Sequence, residues 1–394
     1  MNNKKGILPL KIAVIGIGNM GSQYAPMLAL KKIVGLELAA ITRIGSRYID
    51  RLVNVVNIGT PVYHSADELF TAVEEGKLSL DAVLIATPHY SHRDIALRAF
   101  QLNLHVLCDK PAGVYSHQAR EMSEAAQKSG RIYSLIFNQR ALPIYQTLHD
   151  IVNSGIYGRL KRVNWTLTNW YRPDAYYTSV AWRGSWNTDG GGILLNQYPH
   201  HLDLLQWICG MPEKVQGFCR EGQYHPIEVE DDVTAYFLWK NGASGVFIAS
   251  NGDAPGVNRL EISLDQAMII CENDELRIGE IEDELGMKEA EYRHSSTDLF
   301  RDIKGKWKTI SFPGEINTYM QILQNFSDVI NGNGKSIISG RDGINNLVLS
   351  NAIYLSSWQN KMVEIPGFGT EAEAAFEREF EQYLFRKRNG SKTD

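Results

Sequence analysis

The sequence predicts an α/β protein of two domains, the first built on a parallel sheet and the second on a large, mostly antiparallel open one. Three observations carry this. The chain has 394 residues, too many for one ordinary core. Its first third alternates short apolar strands with amphipathic helical stretches, the pattern of right-handed crossovers and a parallel sheet covered on both faces. Beyond that the apolar period drops to two, broken by Asn-Gly and Gly turns, as antiparallel strands require.

The first domain is expected over residues 1–138. It opens with "KIAVIGIGNMG", an apolar strand from Lys11 to Ile15 that runs into Gly16, Gly18 and Gly21, with a helix over 22–30 behind them. In that strand-to-helix setting the G-x-G-x-x-G spacing is meaningful. Gly16 allows the tight turn, Gly18 lets the backbone approach a pyrophosphate, and Gly21 lets helix pack on strand, with phosphates at the helix N-terminus. Further strands are "LELAAIT" (36–42), "LDAVLIATP" (80–88), "LHVLCDKP" (104–111) and "RIYSLIF" (131–137), with helices over 91–101 and 116–128. This is the plan of a nucleotide-binding Rossmann domain. An acidic residue at the tip of the second strand would hold the ribose 2′-hydroxyl of NAD. Here the tip is Thr42-Arg43, and Glu37 lies at the wrong end of the strand. Thr42, Arg43, Ser46 and Arg47 suit a 2′-phosphate instead, so the reading favours NADP over NAD. The alternative is that these arginines are solvated surface.

The second domain is expected over 139–394, joined by a compact hinge near residue 138. Strands run through "GRLKRVNWTLTNWYR", "DDVTAYFLWKNGASGVFIASN" and "RLEISLDQAMIICE", and helices are expected over 316–333, 340–361 and 371–387.

Composition excludes several classes. Apolar residues are 44% and charged residues 22% with no biased tract, so the chain reads as an ordered globule. The net charge is −5 and lysines and arginines are scattered, which argues against a nucleic-acid partner. No stretch approaches the ~20 apolar residues that span a bilayer, and the first residues lack the apolar core of a signal peptide. The four cysteines, Cys108, Cys209, Cys219 and Cys271, are dispersed, which suits reduced thiols in the cytoplasm.

The polar residues that could carry chemistry fall in a few places. In "CDKP", Lys110 stands at the C-terminal end of a parallel strand, where open α/β sheets bind ligands, and Pro111 restricts the backbone. A lysine in a partly dry cleft polarises a hydroxyl or stabilises an alkoxide. In "GGGILLNQYPHHLDLLQWICG" (190–210), a helix beginning near Pro199 puts His200, Asp203 and Trp207 on one face and turns His201 toward Leu204, Leu205 and Ile208, as a core neighbour. A metal site needs three convergent ligands, and His200 with Asp203, or His89 with His92, supplies two apiece, so no metal is expected. The stretch "NWYRPDAYYTSVAWRGSW" (169–186) alternates aromatic rings with Arg172 and Arg183, which suits the C–H faces and hydroxyls of a sugar. An aromatic subunit interface is the plainer alternative. Tyr171, Trp182 and Arg140 of "FNQR" are further substrate candidates.

Taken in order, "GIGNMG", "AVLIATPHYSH", "HVLCDKP", "FNQR", "GRLKRV" and "GGGILLNQYPHHLDLLQWICG" resemble the glucose–fructose oxidoreductase, inositol dehydrogenase and rhizopine catabolism (Gfo/Idh/MocA) family over most of the chain. The resemblance implies a Rossmann domain and an α/β domain whose open sheet meets another subunit, in a homodimer or homotetramer. It implies cofactor contacts from Asn19, Met20, Thr87, Pro88, His89, His92, Asp109, Lys110 and Asn138, with the lysine on the reacting hydroxyl and its proline after a cis peptide. The glycine triplet is placed at the mouth of the active site, where it would let substrate and backbone come close. The family's Asp-x-x-x-His with a following Asp maps onto Asn196, His200 and Asp203, which makes His200 resemble the general base. Two departures stand out: Asp109 for the usual Glu, and Asn196 for the usual Asp. An amide orients a hydroxyl but accepts no proton, so Lys110 and His200 must suffice. The implied activity is NAD(P)-dependent interconversion of a secondary alcohol and a ketone on a sugar, glycoside or cyclitol. A glycosidase or lyase using tightly held NAD transiently, and a non-catalytic nucleotide sensor, are the other two readings.

Overall fold

The computed structural model describes residues 9–42, 49–281, 297, 299–300 and 304–390. They form two compact units. The first comprises Met1–Ala141, Thr188–Gly190 and Asn317–Leu347, and the second Leu142–Asn187, Gly191–Ile316 and Val348–Asp394. In chain order the elements run β1 (Leu10–Ile15), α1 (Gly21–Ala29), β2 (Leu36–Thr42), α2 (Val53–Asn57), β3 (Val62–Tyr63), α3 (Ala66–Glu74), β4 (Ala82–Ile85), α4 (His92–Gln101), β5 (His105–Asp109), α5 (Ser116–Ser129) and β6 (Tyr133–Ile136). They continue with α6 (Pro143–Asn153), β7 (Leu160–Leu167), α7 (Asp174–Thr178), α8 (Pro199–Cys209), β8 (Lys214–Glu221), β9 (Glu230–Leu238), β10 (Ser244–Ser250), β11 (Asn258–Leu264), β12 (Ala267–Glu272) and β13 (Glu275–Ile281). The last are β14 (Gly305–Ser311), α9 (Thr318–Ile330), α10 (Asp342–Gln359), β15 (Val363–Glu364) and α11 (Glu371–Arg388).

In the first unit six strands lie in the order β3-β2-β1-β4-β5-β6, and the paired strands run parallel. β1, β4 and β5 are nearly all apolar and buried on both faces, as a sheet sandwiched by helices must be. The strand order reverses between β1 and β4, the place where such sheets bind ligands beyond their C-terminal ends. The two-residue strand β3 was not expected from the sequence; it is too short to show a period. Helix α9, which the sequence assigns to the second domain, packs in the first unit. There Tyr319 meets Tyr24 edge-on at 5.7 Å, and Ser327 Oγ donates to the Val34 carbonyl at 2.8 Å.

In the second unit nine strands take the order β14-β13-β12-β11-β7-β10-β9-β8-β15, antiparallel except for β7 beside β10. Alternate residues divide cleanly between the two faces. Val215, Val233, Ala235, Phe237, Phe247, Val163, Trp165, Leu260 and Ile262 line the buried face, where Trp165 meets His201 of α8 at 5.3 Å. The registers put Phe218, Tyr236 and Trp307 on the opposite face, where they stand exposed. Among the described residues no helix is long and apolar enough to cross a membrane.

Candidate active site

Each unit carries its own candidate residues. In the first, the glycine turn between β1 and α1 is shaped by close approach. A Cβ on Gly21 would come within 2.0 Å of the Gly16 carbonyl, and one on Gly16, whose φ is +95°, within 2.7 Å of the Ala86 carbonyl. A Cβ on Gly18 would meet nothing within 4 Å. Gly18 therefore faces open space, at the end of a helix whose N-terminus has no side-chain cap and no acidic residue in its first turn. Such a helix end is a ready anion site. Arg51, which the sequence reading missed, brings its guanidinium there, donating to Asn19 Oδ1 at 3.2 Å and Ser22 Oγ at 3.4 Å. Met20 is the N-cap residue of α1. These residues fit a dinucleotide pyrophosphate.

Thr42 does not stand where a 2′-phosphate contact needs it. Its hydroxyl accepts from the Gly16 amide at 2.9 Å and is buried, so it braces the glycine turn. Arg43, Ser46 and Arg47 lie outside the described residues.

At the C-terminal ends of β4 and β5, three segments meet around His92. Its ring is buried, with Nδ1 2.9 Å from the Pro111 carbonyl and Nε2 2.7 Å from the Thr87 carbonyl. The two carbonyls favour the charged ring, yet burial outweighs them and holds its pKa below the usual 6.5. Both nitrogens are spent on backbone, leaving neither for the cofactor contact expected of His92, and the ring ties the turn after β4 to the Lys110-Pro111 turn after β5. His89 is buried too, its Nδ1 2.9 Å from the Asp189 carbonyl, while Ser91 Oγ bonds Thr87 Oγ1 and the Pro88 carbonyl at 2.7 Å each. Ser91 thus spends its hydroxyl there and makes no side-chain cap on α4.

Lys110 precedes a cis peptide to Pro111. Its amide donates to Asp109 Oδ1 at 2.9 Å, and Tyr24 donates to Asp109 Oδ2 at 3.4 Å. Burial raises the Asp109 carboxyl to about 6 against the opposing pull of the Lys110 charge. Asp109 thus supports the lysine turn from within.

Two other expectations are corrected. Arg140 is only 2% exposed and pairs with Asp342 at 3.2 Å, so its charge is spent on a partner inside the first unit. Asn138 donates to Thr318 Oγ1 at 2.7 Å and so also holds α9.

In the second unit α8 begins at Pro199, where a missing N–H costs nothing. His200 lies in the first turn with Trp170 edge-on at 6.3 Å, and Asp203 is fully buried, accepting from Gln206 at 3.3 Å. His201 packs among Trp165, Trp170 and Tyr198, and burial drives its pKa to about 3. Tyr198 is buried with its hydroxyl on the Ser250 carbonyl at 2.8 Å. Asn196 is oriented from the aromatic segment: Tyr176 donates to its Oδ1 at 3.2 Å, and Gln197 donates to the Tyr176 oxygen at 2.9 Å. The Arg172 and Arg183 guanidinium groups stack on that same ring, 5.2 and 4.1 Å from its centroid. Trp182 lies beside Arg183, 5.3 Å away, and Tyr171 is 50% exposed. Trp186 instead is core, packed on Tyr354 and Trp358.

Close packing within the protein, not room for substrate, accounts for the glycine triplet. A Cβ on Gly190 would strike Val114 at 2.5 Å, one on Gly191 the Tyr354 hydroxyl at 2.4 Å, and one on Gly192 the Glu230 carbonyl at 1.9 Å. Protein already fills that space. Glu230, unforeseen in the sequence, is fully buried and accepts from the Gly192 amide at 2.9 Å, the Leu194 amide at 2.9 Å and the Tyr354 hydroxyl at 2.6 Å. It pins the loop that leads to Asn196 and His200. No signal marked it among the acids of "EVEDD". Among the described residues no group of three or more His, Cys, Asp or Glu is arranged to hold a metal.

Residues 10–137 match the oxidoreductase family with an NAD-binding Rossmann fold, and residues 145–270 match the Gfo/Idh/MocA C-terminal domain. The chain belongs to the Gfo/Idh/MocA oxidoreductase family. Oxidoreductase P35 of Formosa agariphila is 30% identical over 165 residues, covering 41% of this chain but only 50% of that relative. Myo-inositol 2-dehydrogenase of Thermotoga maritima is 23% identical over 363 residues, covering 90% of this chain and 98% of that one. Among solved structures, the WlbA dehydrogenase of Bordetella pertussis in complex with NADH and UDP-GlcNAcA superposes with a TM-score of 0.72 at 22% identity, covering 91% of this chain and 99% of that one. The likeness confirms the fold: a Rossmann unit followed by a mixed, mostly antiparallel sheet.

Proposed function

We propose that this protein is an NAD(P)-dependent oxidoreductase that interconverts a secondary alcohol and a ketone on a sugar, glycoside or cyclitol. The observation that carries the reading is one sheet holding both an open, cation-flanked glycine turn after β1 and, beyond β5, a lysine fixed by Asp109 and the His92 clamp. The names of relatives that act on cyclitols agree with it. Lys110 donates to the reacting hydroxyl and stabilises the developing alkoxide, and His200 accepts the hydroxyl proton. Asn196, held by Tyr176, orients the ring. The nicotinamide, when bound, takes the hydride from the carbinol carbon.

NADP is preferred to NAD in this proposal, because the sequence at the tip of β2, Thr42-Arg43, carries no carboxylate for a ribose 2′-hydroxyl. A homodimer or homotetramer through the second unit's sheet is supported by the exposed Phe218, Tyr236 and Trp307 on its outer face. The free Cys108, Cys209, Cys219 and Cys271 support a cytoplasmic location.

Lys110→Ala decides the main reading. It should reduce kcat on any sugar or cyclitol that the wild type oxidises by at least about a thousandfold, while binding of the reduced cofactor, followed by fluorescence, stays within a few-fold. A variant that turns over normally removes Lys110 from the chemistry.

A further inference from the structure

Two arginines of the second unit carry charge that no carboxylate among the described residues pairs. Arg172 and Arg183 stack on one tyrosine ring, that of Tyr176, and both are half-buried. Among the described residues neither guanidinium forms an ion pair with a carboxylate. Arg172 donates from Nη1 to the Tyr171 carbonyl at 3.0 Å. Arg183 donates from Nη1 to the Tyr176 carbonyl at 3.0 Å and to Ser179 Oγ at 2.8 Å. These neutral partners leave both positive charges uncompensated. Arg140, more deeply buried, shows the contrast, its guanidinium closed by Asp342.

The arrangement is built rather than incidental. The Arg172 backbone is gripped on both sides, its amide donating to the Asn251 carbonyl at 3.1 Å and its carbonyl accepting from His225 Nε2 at 2.7 Å. His225 and Asn251 are buried, and Asp231 holds His225 Nδ1 at 2.8 Å. Like charges gathered around one ring, partly withdrawn from water, repel each other until an anion arrives. A guanidinium fork matches carboxylate or phosphate oxygens, and the Tyr176 that carries the pair also orients Asn196.

We propose that Arg172 and Arg183 form an anion subsite, so that the preferred substrate is a sugar bearing an acidic group, either a carboxylate or a phosphate, rather than a neutral polyol. This rests on the oxidoreductase reading and names its substrate class.

The test compares kcat/KM for D-glucuronate, D-glucose 6-phosphate and D-glucose, and for the matching galactose series, at low salt. At least one anionic sugar should exceed its neutral counterpart by tenfold or more. The acid and phosphate arms tell which anion is meant, and 0.5 M salt should narrow the gap. In an Arg172→Gln, Arg183→Gln double variant the ratio should collapse toward one, while the double lysine variant should retain part of it. Equal or neutral-favouring rates in the wild type, or a ratio unchanged by the glutamine variant, overturn the subsite. Titrating intrinsic tryptophan fluorescence with the same sugars reads Trp182 beside Arg183 without turnover. Preferential binding of an acidic sugar with no oxidation would sink the oxidoreductase reading and keep the subsite, and oxidation without preference would do the reverse.

Discussion

Two adjacent histidines show how much a single position decides. His200 and His201 are both buried in the first turn of α8, yet they face different surroundings. His201 sits against Trp165, Trp170 and Tyr198, where burial holds the ring neutral, and it contributes as a packing residue. Replacing His201 with Ala should therefore lower stability by about 3 kcal/mol, a shift of several degrees in Tm, through the cavity left behind. His200→Ala should instead cut kcat by about a hundredfold or more with a much smaller Tm change, if His200 accepts the proton. Tm and kcat measured side by side separate the two, and the reverse pattern would exchange their roles. The helical period alone distinguished this pair in the sequence, because three or four residues bring a side chain back to one face. Arg140 shows the opposite case: its partner Asp342 is about two hundred residues away, and no local pattern reveals such a pairing.

Elements were legible where one period dominates. Strand β2 falls on the expected residues, Leu36–Thr42, because its apolar run is continuous and ends at a polar tip. Helices α4, α5 and α11 fall within a residue or two of expectation for the same reason. What sequence could not give was the purpose of Gly190 to Gly192. Glycine signals a close approach without saying to what, and here the approaching atoms are Val114, Tyr354 and Glu230. A Gly192→Ala substitution places a methyl group 1.9 Å from the Glu230 carbonyl. Backbone must move to relieve it, so the variant should lose about 3 kcal/mol or more, or fail to accumulate as folded protein. A Gly192→Ala protein with wild-type Tm would mean that this loop is less constrained than its geometry indicates. Any surviving activity should be low, because the displaced loop carries Asn196 and leads into His200.

Across the whole molecule, buried titratable groups set how stability changes with pH. Burial raises Glu230 from 4.5 to about 8, despite the Tyr354, Leu194 and Gly192 donors that oppose the shift. The folded state holds a proton that the unfolded chain releases, so this contribution is complete below 4.5 and is lost as pH rises through about 8. His201 and His105, lowered to about 3 and about 4, act in the other direction, and their contributions are complete above 6.5. Between pH 6.5 and 8 the Glu230 effect stands nearly alone among these. Tm should fall across that window in the wild type, and Glu230→Gln, though less stable at low pH for want of a second acceptor oxygen, should show a flatter profile. Parallel profiles for the two proteins would remove Glu230 as the source.

The path of the chain has a practical side. The nucleotide-binding unit borrows α9 from residues 317–347, and that helix covers Tyr24, receives Asn138 and ties down Val34. A fragment cut after residue 141 would therefore leave a wound beside the glycine turn, exposing a tyrosine and stranding donors that the intact chain satisfies. The N-terminal third therefore makes a poor free-standing cassette unless a substitute for that helix is supplied with it.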